Sequence, residues 1–323
     1  MISKIKLSGS NVQFLGQEKH IKPQFATSFS GINNSKNDVI SFKWSLNEEF
    51  NKEALRLLRS GEVNNFNKFR EINKYKKPDF INKDLSELNL KGVNFKEAEL
   101  VLADFRRTHL EQANLSEASF YSANLRGAFL NKADLSRTLF TEADLTNADL
   151  TGAYNFRYTY FDKAYLENTK FNNVTLYDAE FIGAHLKNAS FIGAEIPDAN
   201  FQSADLRNVN LSNANLKEAI LWNTNLDGAK LEGTNLKRAQ IVDSTFNKAT
   251  YNNDTQFPAD FNPKDHPEMY NMDDPEQVKK LQELLKAESE AKLQAESEAK
   301  LRAELDAEKN KGIINCLKKL FRL

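Results

Sequence analysis

Between Leu85 and Tyr251 a large apolar residue stands at every fifth position. The first run is Leu85, Leu90, Phe95, Leu100, Phe105 and onward to Leu150, and the second starts at Phe156 and ends at Tyr251. A small residue (Ala, Thr, Val or Ser) sits two places before nearly every one. A period of five fits neither an α-helix at 3.6 residues per turn nor a strand at 2. It does fit a coil whose sides are each five residues long, a short flat stretch followed by a corner. Four such sides close one coil of about twenty residues, and coils stack as repeat units do. The large residue and the small one before it then point inward. A small partner is needed because two large residues per side would overfill so narrow an interior.

The stacking follows from the numbering. Phe161, Phe181 and Phe201 are twenty apart, as are Phe171 and Phe191, and the two sets fall on opposite sides. Phe120 and Phe140 make a shorter stack in the first run. About eight and a half coils at ~4.8 Å per rung give a repeat region roughly 40 Å long. One residue is inserted between Leu150 and Phe156, so the period slips once, at 151–156. Tyr154, Tyr158, Tyr160, Tyr165 and Tyr177 gather near that slip, as a candidate recognition patch or as aromatic repair of a kink.

The flanks divide into further segments. Residues 1–44 lack the repeat, and the alternation at Lys4–Leu7 and Val39–Trp44 suggests short strands. Over 45–80 two amphipathic helices are expected. Ser45 and Glu48 resemble a capping box, Gly61 suits a helix stop, and Pro78 breaks the pattern. Their position suggests a cap over the first coil of the array at 81–257. Residues 258–274 read as an irregular wrap over the last coil. Asp274-Pro275-Glu276-Gln277 then starts a helix, with Asp as N-cap and Pro at the first helical position.

From 275 to 311 the chain is charged and helical, and AESEAKL occurs twice, eight residues apart. Leu281, Leu285, Leu293, Leu301 and Leu305 are spaced 4, 8, 8 and 4, so their stripe drifts round the helix. A two-stranded coiled coil wants spacing of 3.5. Glu288–Lys292, Glu296–Lys300 and Glu298–Arg302 offer i,i+4 pairs for a solvated spacer of roughly 55 Å. A loose coiled-coil homo-oligomer is the competing reading. Gly312 is expected to interrupt the helix, and 312–323 changes character. Ile313, Ile314, Leu317, Leu320 and Phe321 share one face, with Lys318, Lys319 and Arg322 on the other. Such a tail can meet an anionic membrane or a partner's groove, or pair with its own copy.

Little points to chemistry. His20, His109, His185 and His266 are scattered, and no metal, phosphate-loop or nucleophile motif occurs, so neither a cofactor nor catalysis is expected. The single Cys316 rules out an internal disulfide framework and suits a reducing compartment. No signal peptide and no apolar run of membrane-spanning length is seen. A cytoplasmic location is therefore expected, peripheral on the inner face of a membrane if the tail binds lipid. Net charge is +6 over 1–80, −5 over 81–257 and −2 over 258–323. No groove-sized strip of basic and aromatic residues is present, which argues against direct nucleic-acid binding.

Units such as Ala113-Asn114-Leu115-Ser116-Glu117 and Ala143-Asp144-Leu145-Thr146-Asn147 resemble the pentapeptide-repeat proteins, and the resemblance spans 81–251. It implies a mainly β fold, a right-handed quadrilateral parallel β-helix, here with N-terminal capping helices and a long C-terminal α-helix. The run at 249–252 followed by Thr255-Gln256-Phe257-Pro258 is similar to endings of bacterial members. The family does not imply one function. Its best understood subgroup is similar to DNA in shape and charge and binds or protects DNA gyrase. Arg106, Arg107, Arg126, Arg137, Arg157, Arg207 and Arg238 dilute the negative surface that such mimicry requires. The expected role is a non-enzymatic scaffold or protein-interaction module, tethered through its C-terminal helix and tail. Gyrase binding is the alternative.

Overall fold

The computed structural model describes residues 7–8, 11–12, 36–154 and 158–321, with side chains described at 47–154 and 158–308. The chain divides into two units, 1–53 and 54–323. In the first, β1 (Leu7–Ser8) pairs antiparallel with β2 (Asn11–Val12). Helix α1 (Lys36–Arg59) begins there and ends in the second unit. The strand expected at Val39–Trp44 is therefore helix. Its short alternation also contains the i,i+4 pair Ile40 and Trp44, which serves a helix as well. Ser45 lies inside α1, so there is no free first turn for it to cap.

In the second unit α1 stops at Gly61, which holds φ at +74°. The Gly61 N–H donates to Leu58 O (3.1 Å) and the Glu62 N–H to Leu57 O (2.9 Å), the paired bonds of a Schellman stop. Helix α2 (Val63–Ile72) follows. Its buried Phe66 meets Phe95 edge-on, with ring centroids 5.6 Å apart. A coil with no coil before it leaves backbone groups unpaired, and such groups are costly unless satisfied. Side chains of the two helices satisfy them here. Asn67 donates to Gly92 O (2.9 Å) and accepts from the Asn94 N–H (2.8 Å). Arg70 donates to Lys96 O, and Arg59 to Asp84 O (3.2 Å).

From Asp79 onward the outward residue just before a large inward one typically bridges in parallel to the residue twenty further on. The first four such bridges are Asp79↔Glu99, Asp84↔Asp104, Asn89↔His109 and Asn94↔Asn114. Four bridged positions recur in every coil, and the ladder includes β3 (Ile220–Trp222) beside β4 (Gln240–Val242). The domain is a β-solenoid. Its core is the inward set foreseen from the period: Leu85, Leu90, Phe95, Leu100 and Phe105 are fully buried, as are Ala103 and Ala118.

Most corners are turns closed by a bond such as Val93 N–H to Leu90 O (3.0 Å), with a left-handed residue in third place. The Asp or Asn before the large residue has a local task. Its side chain accepts the free N–H two residues on, as in Asp84 to Ser86 (3.0 Å) and Asn210 to Ser212 (3.0 Å). Inward threonines are satisfied across coils, so their burial carries no orphaned hydroxyl. Thr108 donates to Leu85 O, Thr169 to Leu145 O and Thr234 to Leu211 O, each at 2.8 Å.

The slip is visible in the ladder. Asp134 pairs with Tyr154, twenty on, whereas Leu139 pairs with Tyr160 and Asp144 with Tyr165, twenty-one on. Tyr160↔Glu180 restores the interval. One residue is thus absorbed between Tyr154 and Tyr160; Phe156 lies outside the described residues. The core does not break there. Phe120, Phe140, Phe161, Phe181 and Phe201 form one continuous stack with centroid spacings of 5.1, 5.1, 4.9 and 4.7 Å. The two stacks expected from the numbering are therefore one. Phe171 and Phe191 stack at 4.6 Å, and Phe171 meets Phe161 edge-on at 5.5 Å across the interior.

After β5 (Thr250–Tyr251) the wrap is more regular than expected. It makes a short 3-10 turn (Pro263–Asp265) and then β6 (Tyr270–Asn271), which pairs with β5 as a further rung. Asp274 caps helix α3 (Pro275–Phe321) by accepting the Glu276 N–H at 2.9 Å. Leu281 is buried, and Lys248 reaches Glu288. Beyond that contact, residues 289–308 are exposed throughout. The i,i+4 pairs differ from those expected: Lys279–Glu283, Lys286–Glu290 and Lys292–Glu296, each at 3.9 Å, put lysine first. The helix also runs through Gly312. Glycine costs about 1 kcal/mol there relative to alanine, too little to break a helix with good formers on its N-terminal side.

Candidate functional site

The coils use their outward histidines structurally. His109 stacks on Phe129 at 4.6 Å and places Nδ1 3.0 Å from Glu111, and His185 stacks on Tyr165 at 5.0 Å. Among the described residues no group of His, Cys, Asp and Glu is arranged to hold a metal. The surface arginines are held by acids: Arg106 by Asp104, Arg126 by Asp144 (2.9 Å), Arg207 by Asp205 and Arg238 by Glu218 (3.1 Å). Hydrogen bonding to Arg106 and Arg207 holds the Asp104 and Asp205 carboxyls below their usual range. Burial pushes Asp162 and Glu180 up, and the neighbouring Asp162 and Asp178 charges add to the effect at Glu180. Asp162 accepts the Ile182 N–H at 3.1 Å, doing from the coil before what a local Asp or Asn does elsewhere. These are ion pairs and turn supports rather than an acid and base facing a cleft.

The five tyrosines do not form one patch. Tyr154 continues the side that carries Asn94, Asn114 and Asp134, and Tyr160 continues the next side, above Leu139. Tyr158 sits at the corner between them with φ +56°, and Tyr177 and Asp178 occupy the same corner one coil on. Tyr165 lies beyond the following corner, on the side of Asp144 and His185. Four rings thus surround one corner, three of them exposed, while Tyr160 is half-buried. For the tail, the helix extends to Phe321, but the side chains of Ile313, Ile314, Leu317, Lys318, Lys319, Leu320 and Phe321, and all of Arg322, lie outside the described residues.

A third surface was passed over in the sequence. Ile72 is 74% exposed and Tyr75 is 90% exposed, more than any other large apolar side chain described. Ile72 ends α2, and Tyr75 lies in the turn that joins α2 to the first coil. The signal in the sequence is Lys74-Tyr75-Lys76-Lys77 before Pro78, one aromatic residue among lysines.

A coil of four five-residue sides, with Asp or Asn capping many corners and mostly Leu or Phe filling the inside, is the architecture of one known repeat. Models of pentapeptide repeats match residues 84–120 and 118–154, and a pentapeptide repeat region model matches 154–231. Residues 84–231 belong to the pentapeptide-repeat family. That family comprises structural and interaction proteins, generally without enzymatic activity. Among solved structures the chain is similar to HetL, a pentapeptide-repeat protein involved in heterocyst differentiation regulation in the cyanobacterium Nostoc sp. strain PCC 7120. The identity is 25% and the TM-score 0.32, over 54% of this chain and 86% of that one. It is also similar to QnrB1, a plasmid-mediated fluoroquinolone resistance protein, at 18% identity and TM-score 0.28, over 58% of this chain and 95% of that one. A pentapeptide-repeat protein from the Arabidopsis thaliana thylakoid lumen shows 26% identity and TM-score 0.23, over 38% of this chain and 68% of that one. No curated protein sequence matches significantly.

Proposed function

We propose that the protein is a non-enzymatic scaffold: a right-handed, four-sided β-helical rod tethered through α3 and residues 312–323 to a membrane surface or a protein partner. Right-handed winding is the general preference of parallel crossovers. One observation carries the functional reading. Helix α3 leaves the last coil with 289–308 exposed, and the sequence then turns from charged to basic and amphipathic. A solvated helix of this kind spaces, and a tail of this kind attaches. The location that follows is cytoplasmic, peripheral on the inner face of a membrane. No described helix is long and apolar enough to cross a bilayer.

Full-length protein is expected to sediment with phosphatidylserine vesicles, and a chain ending at Lys311 to sediment clearly less. Equal pelleting of both removes the tail as the membrane anchor. If the tail instead pairs with its copy, the same truncation lowers the mass measured by light scattering. Gyrase binding by DNA mimicry gains no support from the surface, because a continuous acidic face is interrupted at Arg106, Arg126, Arg207 and Arg238.

A further inference from the structure

The turn between α2 and the first coil is built to hold its tip outward. The Lys76 N–H donates to Asn73 O at 2.8 Å, which closes the turn Asn73-Lys74-Tyr75-Lys76. Asn73 also donates from its side chain to Phe69 O at 2.9 Å. Arg70 is buried beneath the turn, and its guanidinium donates both to Lys76 O and to Lys96 O. Arg70 thereby ties the loop to the first coil. What it presents is Tyr75, with Lys74 Nζ 5.1 Å from its ring centre, and Ile72 one turn back. Two neighbouring apolar side chains held in water are a liability unless something covers them. The charges say what would. Residues 68–77 hold Lys68, Arg70, Lys74, Lys76 and Lys77 against Glu71 alone. Lys77 lies 3.4 Å from Glu97, but its side chain remains 60% exposed.

We propose that this turn is a contact for an anionic lipid surface, in which Tyr75 and Ile72 enter the headgroup layer while Lys74 and Lys77 meet the negative headgroups. Tyrosine suits that layer because its ring is apolar and its hydroxyl stays wet. Lysines near a charged bilayer add to binding and do so in a salt-dependent way. The contact rests on residues other than the tail and does not depend on the tail binding lipid.

The test uses the full chain with Cys316→Ser and Tyr75→Cys, so that one environment-sensitive fluorophore reports from the tip. Vesicles of phosphatidylcholine with about one quarter phosphatidylserine are expected to blue-shift its emission, and phosphatidylcholine alone is not. In the unlabelled full chain, Lys74→Gln with Lys77→Gln is expected to weaken vesicle affinity about fivefold per lysine. Ile72→Ser with Tyr75→Ser is expected to weaken it without changing its salt dependence. An unmoved fluorophore while the full chain still sediments with the anionic vesicles would overturn the proposal and leave the tail reading standing. An equal shift on neutral vesicles would also overturn it. A protein occupant would leave the label unmoved on every vesicle.

Discussion

Phe181 is the sharpest place to test how the solenoid is held together. Its ring is fully buried, 4.9 Å from Phe161 below and 4.7 Å from Phe201 above, with Phe171 and Phe191 edge-on at 6.0 Å each. Replacing a buried Phe by Ala costs about 3–5 kcal/mol, and the value depends on how far the surroundings collapse into the void. Collapse is restricted here. Tyr160, Glu180 and Asn200 are bridged in register, and the Phe161 and Phe181 N–H groups donate to Glu180 O and Asn200 O at 2.7 Å. The neighbouring coils cannot drop into the gap without breaking that ladder. Phe181→Ala should therefore fall near the top of the range, about 4–5 kcal/mol. Phe181→Leu should cost only about 1–1.5 kcal/mol, because Leu100 and Leu221 fill the same position in other coils. Urea unfolding followed by far-UV circular dichroism measures both. Hydrogen exchange is needed beside it, since stacked repeats can open piecewise. A loss below about 2 kcal/mol for the alanine variant would show that the coils do collapse. Equal losses for alanine and leucine would mean that the ring stack itself, rather than filled volume, sustains the core.

Further predictions test the inward threonines, the corners and the surface. Thr169→Val removes a bond to Leu145 O, but that carbonyl keeps the Ala148 N–H at 2.8 Å, so the denaturation midpoint should reflect a loss of only about 0.5–1 kcal/mol. Gly92→Ala meets no atom within 4 Å and should lose about 1–2 kcal/mol for its φ of +70° alone. Gly233→Ala also drives its Cβ to 2.4 Å from Asn213 Oδ1, so it should melt lower than Gly92→Ala until Asn213→Ala is added. Glu180→Gln should raise the melting temperature at neutral pH, because burial raises the carboxyl's folded-state pKa and disfavours its charged form. The gain should vanish below the ordinary carboxylate range, where native Glu180 is protonated. Asp205→Asn should do the reverse. Its lowered carboxyl stabilises above the usual Asp range, and that contribution fades as pH falls through the folded value.

The period of five carried most of the solenoid, because inward volume is a one-dimensional constraint that each coil repeats. It located Leu90 and Phe105 inside and identified the slip between Leu150 and Phe156. It did not show that Phe140 and Phe161 stack across the slip, since that depends on where the extra residue is absorbed. Local patterns misled where tertiary context decides. Val39–Trp44 alternates like a strand yet lies in α1, and Gly312 looks like a break yet lies in α3. The caps formed by Asn67 and Arg70 were not legible at all, because their partners at Gly92, Asn94 and Lys96 are about twenty-five residues away. The tyrosines were found by proximity in sequence, which a solenoid translates poorly. Five residues turn one corner, so Tyr160 and Tyr165 face different sides.

In the proposed function the protein attaches through the ends of its rod, and the faces of the rod serve as scaffold. Hydrogen–deuterium exchange of the full chain with and without phosphatidylserine vesicles tests that division in one measurement. Slower exchange is predicted over 309–321 and over 73–76, with no change across 84–231. Protection centred on the coils around Tyr154, Tyr158 and Tyr177, with none over the tail, would contradict it and make the face of the solenoid the interface.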